Sequence, residues 1–173
     1  MELRLEAPTQ DQMEIVRNGR NLKRFGLRTP FLLTSEMQRD FYKSVCCDRN
    51  APHRFFSVLK GYCTSDFIGI GGLTPISWEN RTAEISLLLL DEYTKKGSGE
   101  KACTLILNEA FNIMNLEFVY GECYHSNPYG LKFWEKIAEK YNAETTTLPK
   151  RKYWDGQYHG SFYFCISKEN FKK

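Results

Sequence analysis

At 173 residues, 42% of them hydrophobic and 26% charged, the chain has the composition of one globular domain spanning 1–173 and lacks the bias of a disordered segment. Its 24 basic and 21 acidic residues leave a net charge of +3, too balanced to point to nucleic acid by itself. No apolar run approaches a membrane span, and the charged start MELRLEAPTQDQ lacks a signal-peptide core, so the expectation is a cytoplasmic protein with no membrane partner.

In chain order, Leu3 and Leu5 alternate with charge and predict a first strand. Thr9 or Asp11 can cap a short helix through Met13, Ile15 and Val16, with Gly19 placed to end it. A basic stretch follows, with Arg20, Lys23, Arg24 and Arg28; it reads as a solvated loop or as a segment over an acceptor site. Ser35 and Gln38 form a capping box for a second helix through Met37, Phe41, Tyr42 and Val45. Residues 53–60 predict a strand. Residues 67–78 predict another, whose Gly69, Gly71 and Gly72 signal a bulge or a close backbone approach.

A turn at 79–82 leads into a strand at 83–90. Ala83, Ile85, Leu87 and Leu89 share one face; Glu84, Ser86, Leu88 and Leu90 share the other. Both faces are mostly apolar, which predicts a central strand covered on both sides. A glycine loop then opens a helix with an apolar stripe of Ala102, Leu105, Ile106, Ala110 and Ile113. Residues 116–124 predict a strand parallel to 83–90, because a helix intervenes. Asn127 and Pro128 open the next helix, whose apolar face is Leu131, Trp134, Ile137, Ala138 and Tyr141. Residues 145–148 and 160–166 predict a closing hairpin joined by the basic, aromatic segment 149–156.

The six cysteines, Cys46, Cys47, Cys63, Cys103, Cys123 and Cys165, show no C-x-x-C pair and read as free, buried thiols. A zinc site from Cys46, Cys47, His53 and Cys63 is disfavoured, because adjacent cysteines on a helix point apart.

Glycine admits positive φ and close approach of the backbone. The first amides of a helix have no partner within it and carry the positive end of the dipole. Gly97-Ser98-Gly99 at a helix start, with Lys95, Lys96 and Lys101 around it, therefore reads as an anion site or as a tight turn with solvated lysines. The spacing is not that of a P-loop, and the third glycine of a dinucleotide fingerprint is missing.

Thr94-Lys95-Lys96-Gly97-Ser98-Gly99, between strand and helix, resembles the acetyl-CoA loop Gln/Arg-x-x-Gly-x-Gly/Ala of the GNAT superfamily of N-acetyltransferases, with Thr94 departing from the pattern. Asn127-Pro-Tyr-Gly130-Leu-Lys-Phe-Trp134 is similar to that family's Asn-x-x-Ala/Ser-x-x-x-Tyr, with Trp134 where many members have a tyrosine proposed as general acid. Arg17-Asn18 and Thr34-Ser-Glu-x-Gln38 loosely resemble the branch of ribosomal-protein and nucleotide-sugar N-acetyltransferases.

The resemblance implies a single-domain α+β fold: a mixed, mostly antiparallel sheet with a splayed parallel central strand pair, flanked by helices. It implies acetyl-CoA as co-substrate and no metal. Pantetheine would pair with the backbone at Leu88, Leu89 and Leu90. The pyrophosphate would sit on Lys95, Lys96, Gly97, Ser98, Gly99, Glu100 and Lys101, principally on the amides of 96–101. Asn127 and Trp134 would complete the cofactor site.

The chemistry implied is direct acetyl transfer to a primary amine. An alkylammonium with a pKa of about 10.4 must lose a proton before it attacks, so a carboxylate is needed nearby. Glu122 on the second splayed strand and Glu84 on the first, each between apolar neighbours, are the candidates; either could instead be an exposed strand glutamate or one paired with a lysine. Tyr129 and Tyr124 are candidate acids, and Ser126 could act through water. Cys123 points to the face opposite Glu122 and reads as core.

The acceptor is expected to be a small-molecule or protein amine: an N-terminus or lysine, an amino sugar on a nucleotide, a polyamine, or another small amine. The basic segment 149–152 suits an anionic carrier as well as the glutamates suit a cation. Rival readings are a catalytically idle acyl-CoA-binding module, kept open by Trp134, and an enzyme acting on an amine-bearing nucleic-acid base. A homodimer is left open.

Overall fold

The chain is described by a computed structural model covering residues 2–61, 66–94 and 97–172. Seven strands form one sheet: β1 Leu3–Glu6, β2 Arg54–Lys60, β3 Asp66–Ser77, β4 Thr82–Leu89, β5 Phe118–Tyr124, β6 Glu144–Trp154 and β7 Gln157–Ser167. Their spatial order is β1-β2-β3-β4-β5-β7-β6. Every neighbouring pair is antiparallel except β4–β5, which is parallel because the crossover helix α3, Ser98–Asn108, lies between them. The α+β architecture with one parallel central pair is the one the family resemblance implies.

Parallel pairing of β4 with β5 stops after three positions: Thr82 with Phe118, Ala83 with Val119 and Glu84 with Tyr120. Beyond them β4 stays paired with β3 as far as Leu89, and β5 stays paired with β7 as far as Tyr124. The two halves of the sheet therefore part, and a gap opens between 87–90 and 121–124. Glycines let β3 follow β4 closely here, since a Cβ at Gly69 would run into the Leu88 carbonyl oxygen.

Helices α3 and α4, Pro128–Lys140, cover one face of the sheet. Phe111, Ile106, Leu107, Ile137, Phe164 and Ile166 are fully buried there. Helices α1, Gln10–Leu22, and α2, Ser35–Phe41, lie on the other face, where Met13 and Val16 pack on Ile70 and Leu88. A last short helix, α5 Lys168–Phe171, follows β7. No helix among the described residues is long and apolar enough to cross a membrane.

Several local expectations change. Helix α1 runs past Gly19 to Leu22 with Lys23 as its C-cap, because the Asn21 side chain exchanges two hydrogen bonds with the Leu33 backbone and holds the extra turn. Thr9 caps it, with Gln12 completing a capping box. Thr34, not Ser35, caps α2; the Ser35 hydroxyl donates to Glu14 instead. A π-turn at Glu109–Ile113 adds a residue to the end of the crossover helix, so Ile113 leaves the apolar stripe and is 67% exposed.

The segment 149–156 is strand rather than connection, apart from the turn at Asp155 and Gly156. The second face of β4 is not fully covered: Ser86 is exposed and Glu84 half-buried, because that face borders the gap. Cys47 is exposed rather than buried. No group of three metal-ligating side chains occurs among the described residues; Cys63 lies outside them.

Candidate active site

The alternation that hides Ala83 and Ile85 under α3 turns Glu84 toward the opposite face, at the last position where β4 and β5 still pair. Two residues past its partner Tyr120, Glu122 points the same way from β5. The two carboxylates thus flank the root of the gap, with side chains only 13% and 5% exposed. Between them lies the guanidinium of Arg28, from the segment linking α1 to α2. Its Nη2 donates to Glu84 Oε1 at 2.5 Å and to Glu122 Oε2 at 3.1 Å, and the Tyr124 phenol is near enough to favour its charged form. The other oxygen of Glu122 accepts from Arg151 Nε at 2.9 Å and from Ser161 Oγ at 2.7 Å, on β6 and β7.

The two carboxylates are electrostatically unlike. Burial pushes Glu84 above its ordinary value of 4.5, and repulsion from Glu122 adds to this; the charge and hydrogen bond of Arg28 oppose it without cancelling it. Burial pushes Glu122 up as well, but the hydrogen bonds from Arg151 and Ser161, with the charges of Arg151 and Arg28, outweigh it and hold that carboxyl below 4.5. Burial alone would weaken the Arg28 cation; Glu84 and Tyr124 reverse this and raise its pKa.

The linker bearing Arg28 is fastened across the gap. Lys152 on β6 is buried, and its ammonium donates to the Arg24 carbonyl at 2.7 Å and also to the Leu27 carbonyl. That ammonium stands over the rings of Tyr124 and Trp154 at 5.3 and 5.2 Å. Ser126 Oγ donates to the Phe25 carbonyl at 2.6 Å. Gly26 packs so closely on Asn127 that a Cβ there would lie 2.6 Å from the Asn127 amide nitrogen.

On the β4 side, the Leu90 amide donates to Ile68 of β3. Within one planar peptide the C=O and N–H point opposite ways, so the Leu89 carbonyl faces the gap. Lys23 Nζ takes it at 3.1 Å and pairs with Asp91 at 2.6 Å. Of Leu88, Leu89 and Leu90, then, it is Leu89 that offers its carbonyl to the gap.

At the start of α3, Gly97 has φ +76° and open space where a Cβ would be. Ser98 is buried with its hydroxyl unpartnered. The Lys101 amide already bonds the Gly97 carbonyl at 3.4 Å, so the amides left for a ligand end at Glu100. The Glu100 carboxylate turns to α4, where Lys136 and Lys140 each donate at 2.8 Å and lower its pKa to about 2. Gly99 is needed for packing, since a Cβ would meet Phe133 at 3.0 Å. Lys95 and Lys96 lie outside the described residues. A left-handed glycine, free amides and an unpartnered buried hydroxyl form a donor set that fits a pyrophosphate.

The remaining expected residues divide. Asn127 caps α4, its side-chain oxygen accepting from the Gly130 amide. Trp134 stacks on Phe164 at 5.1 Å and meets Phe133 edge-on, as part of the core rather than of a polar site. Tyr129 is 71% exposed on the first turn of α4, whereas Tyr124 lies near the carboxylate cluster, beside Arg28. Cys123 is buried, and burial pushes its thiol up to about 12. Arg28, Arg151, Lys152 and Ser161 were not singled out as site residues by sequence. The first three belong to its two basic stretches, and that clustering is the signal they left.

Comparison with known proteins adds the family. Residues 2–138 match the family model described as the acetyltransferase (GNAT) domain. The chain is 25% identical over 121 residues to a spermidine N(1)-acetyltransferase of Vibrio cholerae, covering 70% of this chain and 67% of that one. It is 23% identical over 154 residues to the spermidine N(1)-acetyltransferase of Escherichia coli K12, covering 89% and 78%. The structure of the Vibrio cholerae spermidine N-acetyltransferase in complex with CoA and spermine superposes with a TM-score of 0.81 at 20% identity, over 99% of this chain and 98% of that one. These matches carry the superfamily and not the ribosomal-protein or nucleotide-sugar branch.

Proposed function

Because the chain belongs to the GNAT acetyltransferase family, we propose that it acetylates a small primary amine of the polyamine class, received as its ammonium between Glu84 and Glu122. It is an acetyl-CoA-dependent N-acetyltransferase, with acetyl-CoA as co-substrate. The observation that carries the acceptor reading is the pair of carboxylates facing one another across the root of the gap, one held ionised and one held above its ordinary pKa. The spermidine enzymes among its relatives support the same acceptor class.

In this reading Glu122, fixed by Arg151 and Ser161, anchors the ammonium. Glu84 takes its proton, since its raised pKa brings it nearer to that of the amine than an ordinary carboxylate. The freed nitrogen lone pair forms a bond to the thioester carbon. The Leu89 amide, on the same edge as the Leu89 carbonyl, is placed to donate to the oxyanion. Breakdown of the tetrahedral adduct breaks the C–S bond and releases a thiolate, a tolerable leaving group for a thiol of pKa about 8.5. Tyr124 is the phenol near this cluster and the candidate to give sulfur a proton; the second ammonium proton, lost from the adduct nitrogen as the amide forms, restores the phenol, and Glu84 releases the first to solvent. Trp134 cannot serve, because indole donates only a weakly acidic N–H.

The test is release of CoA thiol from acetyl-CoA with a panel of spermidine, spermine, diamines, lysine peptides and amino-sugar nucleotides. The expected outcome is turnover that is highest with the polyamines. Turnover with no amine, or preference for the anionic nucleotide acceptors, overturns the acceptor reading.

A further inference from the structure

Among the described residues, Arg28 is the one charged group that touches both carboxylates. It uses oxygens that no other described residue bonds, Glu84 Oε1 and Glu122 Oε2, while Arg151 and Ser161 occupy Oε1 of Glu122. A single nitrogen, Nη2, reaches both. A primary ammonium, with three N–H donors on one nitrogen, can take that position, satisfy the same two oxygens and keep a proton to give up.

The chain is fastened on either side of Arg28, by its backbone before and by the Thr29 side chain after. Residues 24–27 are held by Lys152, Ser126 and the Gly26–Asn127 contact, and Thr29 accepts from Arg20 at 3.0 Å. The Arg28 side chain itself is 52% exposed. The element free to move is therefore a side chain and not the loop, and exposed rotamers exchange fast.

We infer that Arg28 is a tethered stand-in for the acceptor's ammonium: its guanidinium keeps the place between Glu84 and Glu122 until a primary alkylammonium exchanges for it, and this exchange sets acceptor specificity. The inference rests on the reading of that carboxylate pair as the acceptor site. It adds a selection rule. An acceptor must bring a positive charge to its reacting end to displace an arginine, so aromatic amines that are neutral at pH 7 are rejected. So are amines with an anion beside the nitrogen, because these place a negative charge against Glu84. Lone Coulomb attraction is screened, but here the two carboxylates are largely desolvated and the exchange is cation for cation.

The experiment measures acceptor KM and kcat for wild type, Arg28→Ala and Arg28→Lys, with methylguanidinium as a probe. Arg28→Ala is expected to lower the acceptor KM about tenfold, because the acceptor no longer has to displace the two charge-assisted hydrogen bonds of Arg28. Methylguanidinium at millimolar concentration is expected to inhibit Arg28→Ala competitively against the amine and to leave the wild type nearly unaffected. Arg28→Lys keeps a tethered cation, so its acceptor KM is expected to stay above that of Arg28→Ala. A rise in acceptor KM for Arg28→Ala, or no inhibition of that variant by methylguanidinium, overturns the inference.

An NMR titration of methylguanidinium into Arg28→Ala and wild type reads the vacated site without turnover. Binding to the variant alone supports the stand-in even if the amine panel gives no product. Equal binding, or none, counts against it. Failure of the acceptor reading appears separately, as absence of wild-type turnover.

Discussion

In the proposed mechanism the two glutamates divide their labour by hydrogen bonding. Among the described residues, Glu122 carries three donors from three different parts of the chain and is held below 4.5, whereas Glu84 has one cation and is raised. A proton acceptor needs the second environment and an anchor needs the first. Glu84→Gln is accordingly expected to lower kcat by about 10² to 10⁴, the usual contribution of a positioned base. Glu122→Gln is expected to act mainly on acceptor KM. Because Glu84 must be ionised to accept a proton and its pKa is raised, the acid limb of kcat/KM should titrate above 4.5 and disappear in Glu84→Gln. The reverse split, with kcat lost in Glu122→Gln and retained in Glu84→Gln, would exchange the two roles. Both glutamates were legible in sequence as single charges set among apolar residues in strands that read as adjacent and parallel. Arg28 was not, because it sits 56 and 94 residues from its partners in a linker with no periodicity to fix where a side chain points.

At the level of elements, the crossover helix and α4 are coupled at their charged ends. Glu100, in the first turn of α3, accepts from Lys136 and Lys140, which brings its pKa down to about 2. Its folded pKa lies below the unfolded value near 4.5, so the unfolded chain binds more protons between those values. The stability this contributes is complete above about 4.5 and is lost as pH falls through 2. Since the carboxylate is partly solvated, the contribution is about 1 kcal/mol and not the full value of the shift. Thermal unfolding should show Glu100→Gln less stable than wild type at pH 7, with the gap closing as pH approaches 2. A gap independent of pH would mean that the loss comes from packing. The helices and their order were legible from periodicity and capping residues. Their ends were not: the π-turn that ejects Ile113 and the Asn21–Leu33 exchange that extends α1 both arise from tertiary contacts.

Across the whole molecule, the site is closed by parts of the chain that lie far apart in sequence. The match to the GNAT family model ends at residue 138, yet Arg151, Lys152 and Ser161 lie beyond it and complete the surroundings of Glu122 and of the linker. Reading 149–156 as a connection hid Arg151 and Lys152. As strand, the same residues alternate: Arg151 reaches the carboxylate, and Lys152 is buried under the linker. Lys152 thus joins the N-terminal third to the C-terminal hairpin, since one ammonium bonds two carbonyls 128 and 125 residues away and lies over two aromatic rings.

Lys152→Met retains the length of the stem but removes the donors. It should cost about 1–3 kcal/mol, because two carbonyls lose a charged partner. It should also loosen 23–29 selectively, so hydrogen exchange at those amides should quicken while the amides of β3 and β5 keep their protection. Acceptor KM should rise or fall with the position of Arg28, since the side chain that competes with the acceptor is presented by this linker. Uniformly faster exchange across the sheet would make Lys152 a general stabiliser. Unchanged exchange at 23–29 would mean that the linker is held by Ser126 and the Gly26–Asn127 contact without it.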